Sequence, residues 1–161
     1  MLFKSKNTFK EELYEHIKLR EGYKDVIYLD TLNKPTGGIG HLLNDEEKEK
    51  FPVGSKIDEA LIKEWYEKDI QKALDACNEQ CKKLGLFEKK FKIALTSVNF
   101  QLGTRWYKKF PTAWKCLCNK EYDNAIDELL YSNKEEKKYS KWYQQTPIRV
   151  KDFIDAINDI K

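Results

Sequence analysis

A chain of 161 residues is long enough for one domain, or for two small lobes sharing a helix, and long enough to bury a real core. Its apolar fraction of 40% and aromatic fraction of 13% exclude a disordered chain, which would lack the aromatic and branched residues a core needs. Thirty basic residues against 27 acidic ones leave a net charge of +3. Acids and bases alternate, as in "DEEKEK" and "NKEEKK", so no nucleic-acid partner is expected.

"MLFKSKNTFKEELYEH" has no apolar run of signal-peptide length, and nowhere are there about 18 consecutive apolar residues, so neither export signal nor membrane insertion is expected. Thr8 and Glu11 form a T-x-x-E box, and Phe9, Leu13 and Ile17 recur every four residues. This predicts an amphipathic helix over about 9–20, stopped by Gly22. Tyr23, Val26, Ile27 and Tyr28 favour strand, and Asn33, Pro35, Gly37, Gly38 and Gly40 favour turns. A hairpin or three-stranded antiparallel sheet is expected over about 23–43. Pro52 and Gly54 break the polar stretch 44–58, which reads as a loop with at most one short helical turn.

From Asp58 the apolar spacing predicts a long helix over about 58–83, roughly 39 Å at 1.5 Å per residue. The rest reads as helical. Phe91, Leu95, Val98 and Leu102 mark one helix, ended by Gly103; "PTAWKCLC" and "YDNAIDELLYS" are two more. Residues 133–141 read as a charged connector. The last helix opens with Thr146 as N-cap and Pro147 at its first position, where a missing N–H is harmless. Cys77 and Cys81 lie one helical turn apart and Cys116 and Cys118 form C-x-C. Neither spacing is the C-x2-C of zinc ribbons, so reduced thiols and no metal are expected.

One stretch carries more proton-handling groups than a turn requires. In "LREGYKDVIYLDTLNKPTGGIGH", Glu21 is followed by Asp30 after nine residues, Thr36 after six more and His41 after five more. Two carboxylates near a helix–sheet junction suit general acid/base chemistry if their surroundings differ, and a threonine hydroxyl can position a water. Taken alone, such a pair is more often a solvated surface feature.

The pattern "EGYKDVIYLDTLNKPTGGIGHLL" resembles the catalytic hairpin of the T-even phage-type lysozymes, glycoside hydrolase family 24, with E-G, Y-x-D-T and T-x-G-x-G-H-L-L matched without a gap. "FQLGTRWYKKFPTAW" and "KWYQQTPIRVKDF" are similar to two further family motifs. The resemblance implies an α+β, mostly helical lysozyme-like fold. A small antiparallel sheet lobe (about 22–57) would be joined by the long helix (about 58–83) to an all-helical C-terminal lobe (about 84–161), with the first helix packing on the latter.

The implied activity is that of a muramidase, needing no cofactor, acting on bacterial peptidoglycan as a monomer. It would be made in a host cytoplasm and released to the periplasm as an endolysin. Carried across, Glu21 would be the general acid, Asp30 the base or electrostatic partner of the attacking water, and Thr36 the residue holding that water. Arg149 would orient Glu21. His41 would pair with Asp69 as a structural salt bridge. Leu42, Phe100, Gln101 and Gln145 would contact substrate, as would Ala113 and Glu128, where the family has a serine and an asparagine. The segment 133–141 looks inserted. The alternatives are a wall-binding or interaction module without catalysis, and a virion-associated or chitin-cleaving relative.

Overall fold

The computed structural model describes residues 8–161; the reading of the leader segment falls partly on residues 1–7, outside the described residues. Two compact units are present, one reaching to Gln71 and one over Lys72–Lys161. The boundary falls inside the long helix at Glu59–Leu84.

In the first unit, α1 (Phe9–Glu21) starts at the expected capping box. Thr8 Oγ1 accepts the Glu11 N–H at 3.2 Å, and the Glu11 carboxylate accepts the Thr8 N–H at 3.1 Å. Leu13 and Ile17 are its buried residues, and Gly22 ends it at φ 85°, a conformation side chains with a β-carbon rarely adopt. Strands β1 (Lys24–Leu29), β2 (Pro35–Gly38) and β3 (His41–Leu42) form one antiparallel sheet in that order. Tyr28 lies opposite Thr36, Thr36 opposite Leu42, and Gly37 opposite His41.

The polar stretch after the sheet is more ordered than its composition suggests. A full helix, α2 (Asp45–Lys50), forms there, because Asn44 and Glu47 make a second reciprocal capping box. The segment behind it runs along the open edge of β1. Gly54 N donates to Ile27 O at 2.8 Å, Ile27 N to Ser55 O at 2.9 Å and Ile57 N to Asp25 O at 2.8 Å, so the edge is covered rather than bare. The helix α3 (Glu59–Leu84) matches its expected span to within one residue at each end, and Ile62, Trp65, Tyr66 and Ile70 are its buried contribution to this unit.

The second unit is built on α4 (Lys89–Leu102), α5 (Pro111–Cys118), α6 (Tyr122–Leu130), α7 (Lys141–Gln145) and α8 (Pro147–Asn158), with a 3-10 turn at Trp106–Lys108. Helix α4 is the most buried of these, with Phe91 and Ala94 through Asn99 all inside. Trp106 is fully buried and meets Phe153 edge-on at 5.7 Å and Trp114 at 5.8 Å. Its indole N–H donates to Gln80 Oε1 at 3.1 Å. Gln80 and Asn99 then exchange two amide hydrogen bonds of 2.9 and 2.8 Å, so the polar groups in this core are matched to one another. Cys77, Cys81 and Cys116 are buried free thiols; Cys118 is exposed and also free.

Two expectations for this unit need correction. It is not all-helical, because residues 131–139 form a hairpin rather than a charged connector, with β4 (Tyr131–Asn133) antiparallel to β5 (Lys138–Tyr139). The β-forming tyrosines explain this. Tyr131 stacks on Tyr139 at 5.4 Å, and Lys137 takes φ 51° to close the turn through the charged run. Thr146 does hold the N-cap position of α8 and Pro147 its first turn, but the threonine hydroxyl does not cap. It donates instead to Trp142 O at 3.2 Å. Among the described residues, no helix is long and apolar enough to cross a membrane.

The sheet leaves no room at Gly37. A β-carbon there would lie 2.6 Å from Ile27 Cδ1 and 3.1 Å from Ile57 Cδ1, both on buried side chains. Gly37→Ala should therefore destabilise the protein by about 1–3 kcal/mol, the usual range for overpacking. Chemical denaturation should show this as a lower midpoint at unchanged slope; an unchanged midpoint would contradict this packing.

Candidate active site

The first unit brings Glu21, Asp30, Thr36 and His41 onto one short stretch of helix end, sheet and turns. Glu21 is the last residue of α1 and half-buried. Its side chain lies against the β2–β3 turn: a β-carbon added to Gly40 would sit 3.1 Å from Glu21 Oε2 and 3.5 Å from Glu21 Cβ. Gly40 also has φ +63°, so both the turn and the close approach call for glycine.

Asp30 ends β1 and is fixed by its own turn. Its Oδ1 accepts the backbone N–H of Leu32 and of Lys34, each at 2.8 Å. Both bonds fall on one oxygen, so Oδ2 remains available to a ligand. Thr36 is buried, at 5% exposure, and its hydroxyl donates to Lys34 O at 2.9 Å. With that proton committed, Thr36 Oγ1 offers an arriving water only lone pairs. Tyr28, paired with Thr36 across the sheet, was not singled out by sequence reasoning. Burial, then the charges of Asp30 and Glu21, push its phenol pKa up, which places the ring in the field of both acids. The Lys24 ammonium sits 4.8 Å from the centre of that ring.

His41 turns to structure. Its Nδ1 meets Asp69 Oδ2 at 2.7 Å, the expected pair, and its Nε2 meets Glu47 at 3.0 and 3.1 Å, a partner not anticipated. The ring stacks on Trp65 at 4.4 Å. A neutral imidazole has one N–H and cannot donate to two carboxylates. Burial alone would lower the His41 pKa, but the hydrogen bonds to Asp69 and Glu47 overcome it and hold the value above the ordinary 6.5. Burial would likewise raise Glu47; the Asn44 N–H and His41 outweigh it and hold Glu47 below 4.5. The readable signal for Glu47 was the N-x-x-E spacing from Asn44, obscured by reading 44–58 as loop. Leu42, beside His41, is half exposed.

The second unit holds the remaining candidates. Phe100 and Gln101 lie in the last turn of α4, both half-buried. Gln101 is fixed at both ends of its amide: Nε2 donates to Thr146 Oγ1 at 3.1 Å, and Oε1 accepts from Trp142 Nε1 at 3.0 Å. Arg149 reaches Ser97, donating to Oγ at 2.9 Å. Ala113 is buried, Gln145 exposed, and Glu128 forms an ion pair with Lys134 at 3.0 Å. No group of three or more His, Cys, Asp or Glu side chains able to hold a metal ion occurs among the described residues.

The His41 cluster sets a pH window. His41 is raised in the folded state, so its contribution is complete below about 6.5 and fades as pH rises through the folded value. Glu47 is lowered, so its contribution is complete above about 4.5 and fades as pH falls through its folded value. His41→Asn should cost most, about 1.5–3 kcal/mol for lost hydrogen bonds to charged partners, between these limits. The gap to wild type should narrow at pH 9. Thermal melts of both proteins across pH 4–9 check this, and a gap that widens with alkalinity would contradict a protonated His41.

A family model described as phage lysozyme matches residues 18–144. That span contains Glu21, Asp30, Thr36, His41, Asp69 and Gln101, and stops short of Arg149. No curated protein matches the chain.

Proposed function

Because the chain belongs to the phage lysozyme family, whose members are peptidoglycan-hydrolysing glycoside hydrolases, we propose that it cleaves the β-1,4 bond between N-acetylmuramic acid and N-acetylglucosamine with inversion. Glu21, in its protonated form, gives its proton to the glycosidic oxygen as the bond to the anomeric carbon breaks. Asp30 takes a proton from water, and that water attacks the opposite face of the sugar ring. An inverting pair needs its carboxyls about 6.5–9.5 Å apart, so that the water fits between acid and base.

The observation that carries this reading is the state of the Thr36 hydroxyl. Because it donates to Lys34 O, its oxygen can only accept. A water giving one proton to Thr36 Oγ1 and the other to Asp30 Oδ2 has its remaining lone pairs turned away from both, toward a bound sugar. The Leu32 and Lys34 N–H groups hold Asp30 in place by its other oxygen, which restricts the orientations open to the base. Each cycle leaves Glu21 ionised and Asp30 protonated, and exchange with solvent restores both. The biological use consistent with this chemistry is that of an endolysin, made in a host cytoplasm and acting on the wall once released.

Glu21→Gln keeps the shape of the acid and removes its proton. Turbidity clearing of permeabilised Gram-negative cells should fall by about 10²–10⁴-fold, the usual contribution of a general acid. Equal clearing by variant and wild type would remove Glu21 from the mechanism. NMR of the fresh product anomer should show inversion. A retained anomer, or a 1,6-anhydro end, would rule out direct attack by a water held at Thr36.

A further inference from the structure

Thr36 is buried although its side chain faces away from the core of the sheet. Gly37, the next residue, points into that core, since a β-carbon there would meet Ile27, Ile57 and Trp65. Successive strand residues alternate between faces, so the Thr36 side chain lies on the opposite one. It is still only 5% exposed. Residues directly opposed across antiparallel strands put their side chains on one face, with β-carbons roughly 4.5–5.5 Å apart. Tyr28 lies opposite Thr36 and Thr36 opposite Leu42, so the three form one row with the threonine in the middle. Leu42 is half exposed and Tyr28 partly buried. Tyr28, the larger of the two neighbours, is the side chain of β1 placed to cover the hydroxyl.

The ring is itself held. The Lys24 ammonium, from the start of the same strand, sits 4.8 Å from its centre, a cation against an aromatic ring. Burial, then the charges of Asp30 and Glu21, raise the Tyr28 phenol above its ordinary 10, so the ring stays neutral beside the two acids up to that pH. The Thr36 hydroxyl offers only lone pairs, because its proton goes to Lys34 O. A water lodged there donates to Thr36 Oγ1 and to a carboxylate, and finds no comparable partner on the face of the ring. Keeping other waters out also strengthens the pull of the acids on the one that remains.

We propose that Tyr28, held by Lys24, is a positioning residue for the attacking water: its ring closes the β1 side of the Thr36 site to bulk solvent. The attacking water rests on the lysozyme reading. The screening of the Thr36 hydroxyl rests on the sheet, and it can be measured without turnover.

The Thr36 hydroxyl proton, bonded to Lys34 O, is the reporter, and NMR of the free protein follows its exchange with solvent. Tyr28→Ala should speed that exchange about tenfold or more. It should also lower kcat for release of reducing ends from soluble peptidoglycan strands by about 10- to 100-fold, the scale of a misplaced reactant, with KM held within about twofold. Tyr28→Phe keeps the ring and should restore both. Lys24→Met removes the cation and should shift both in the same direction by a smaller factor, and Lys24→Arg should restore them. Thermal melting of each variant separates these effects from unfolding. Tyr28→Leu, which keeps an apolar branch but no ring, takes the place of Tyr28→Ala if that variant does not fold. Unchanged exchange on loss of the ring overturns the screen. So does a rise in KM at constant kcat, which would make Tyr28 a substrate contact, or a loss that Tyr28→Phe does not restore, which would make the phenol hydroxyl the working group. If the wild type releases no reducing ends, the lysozyme reading fails, and the exchange measurement still decides the screen.

Discussion

The protonated imidazole of His41 holds the first unit in register. Strand β3 is only two residues long, and pairing of that length cannot keep a strand in place by itself. Its side chain supplies what the backbone lacks, with Asp69 of α3 on one nitrogen, Glu47 of α2 on the other and the face of Trp65 beneath. The strand so fixed pairs with β2 at Gly37 and Thr36. The depth and direction of the Thr36 hydroxyl therefore depend on a charge cluster that takes no part in the proposed chemistry. Glu47 serves two roles at once, since the same carboxylate closes the capping box of α2, and loss of the imidazole would loosen both.

The glycines next to this cluster have a meaning that composition does not reveal. Read from the sequence they are turn residues, and Gly38 and Gly40 do take positive φ. Packing imposes a second requirement. Gly37 is pressed against Ile27, Ile57 and Trp65, and Gly40 against the Glu21 carboxylate. The sheet can approach the core on one side and the acid on the other only because these positions have no side chain. Glu21 is thus placed by what is missing opposite it as well as by the end of its own helix.

What the chain discloses before folding follows the range of each interaction. Thr8 with Glu11, the four-residue apolar spacing of α3 and Pro147 at the start of α8 are local signals, and all three appear as expected. The pairing of His41 with Asp69 spans 28 residues and came from the family pattern rather than from spacing. The second partner, Glu47, has no counterpart in the quoted motifs and lay in a stretch whose proline and glycine suggested loop. The hairpin at 131–139 was hidden for a similar reason. Its charged turn dominates the composition, while its stability comes from tyrosines on either side that meet only after the chain reverses. Tyr28 was passed over as an ordinary strand residue, because its relation to Glu21 and Asp30 is electrostatic and appears only in three dimensions.

The residues proposed to handle protons and those expected at the substrate from positions 113 and 128 fall in different units. Ala113, Glu128 and the hairpin all belong to the second unit, whose hydrophobic cluster draws on residues from Cys77 onward. Glu21, Asp30 and Thr36, the residues proposed to handle protons, belong to the first, whose buried residues run from Leu13 to Ile70. The bonds that hold Asp30 on two backbone N–H groups and Thr36 on its carbonyl all lie within the first unit. On the proposed reading, the groups that would orient the water are therefore built by the first unit's own backbone, whichever residues stand at 113 and 128.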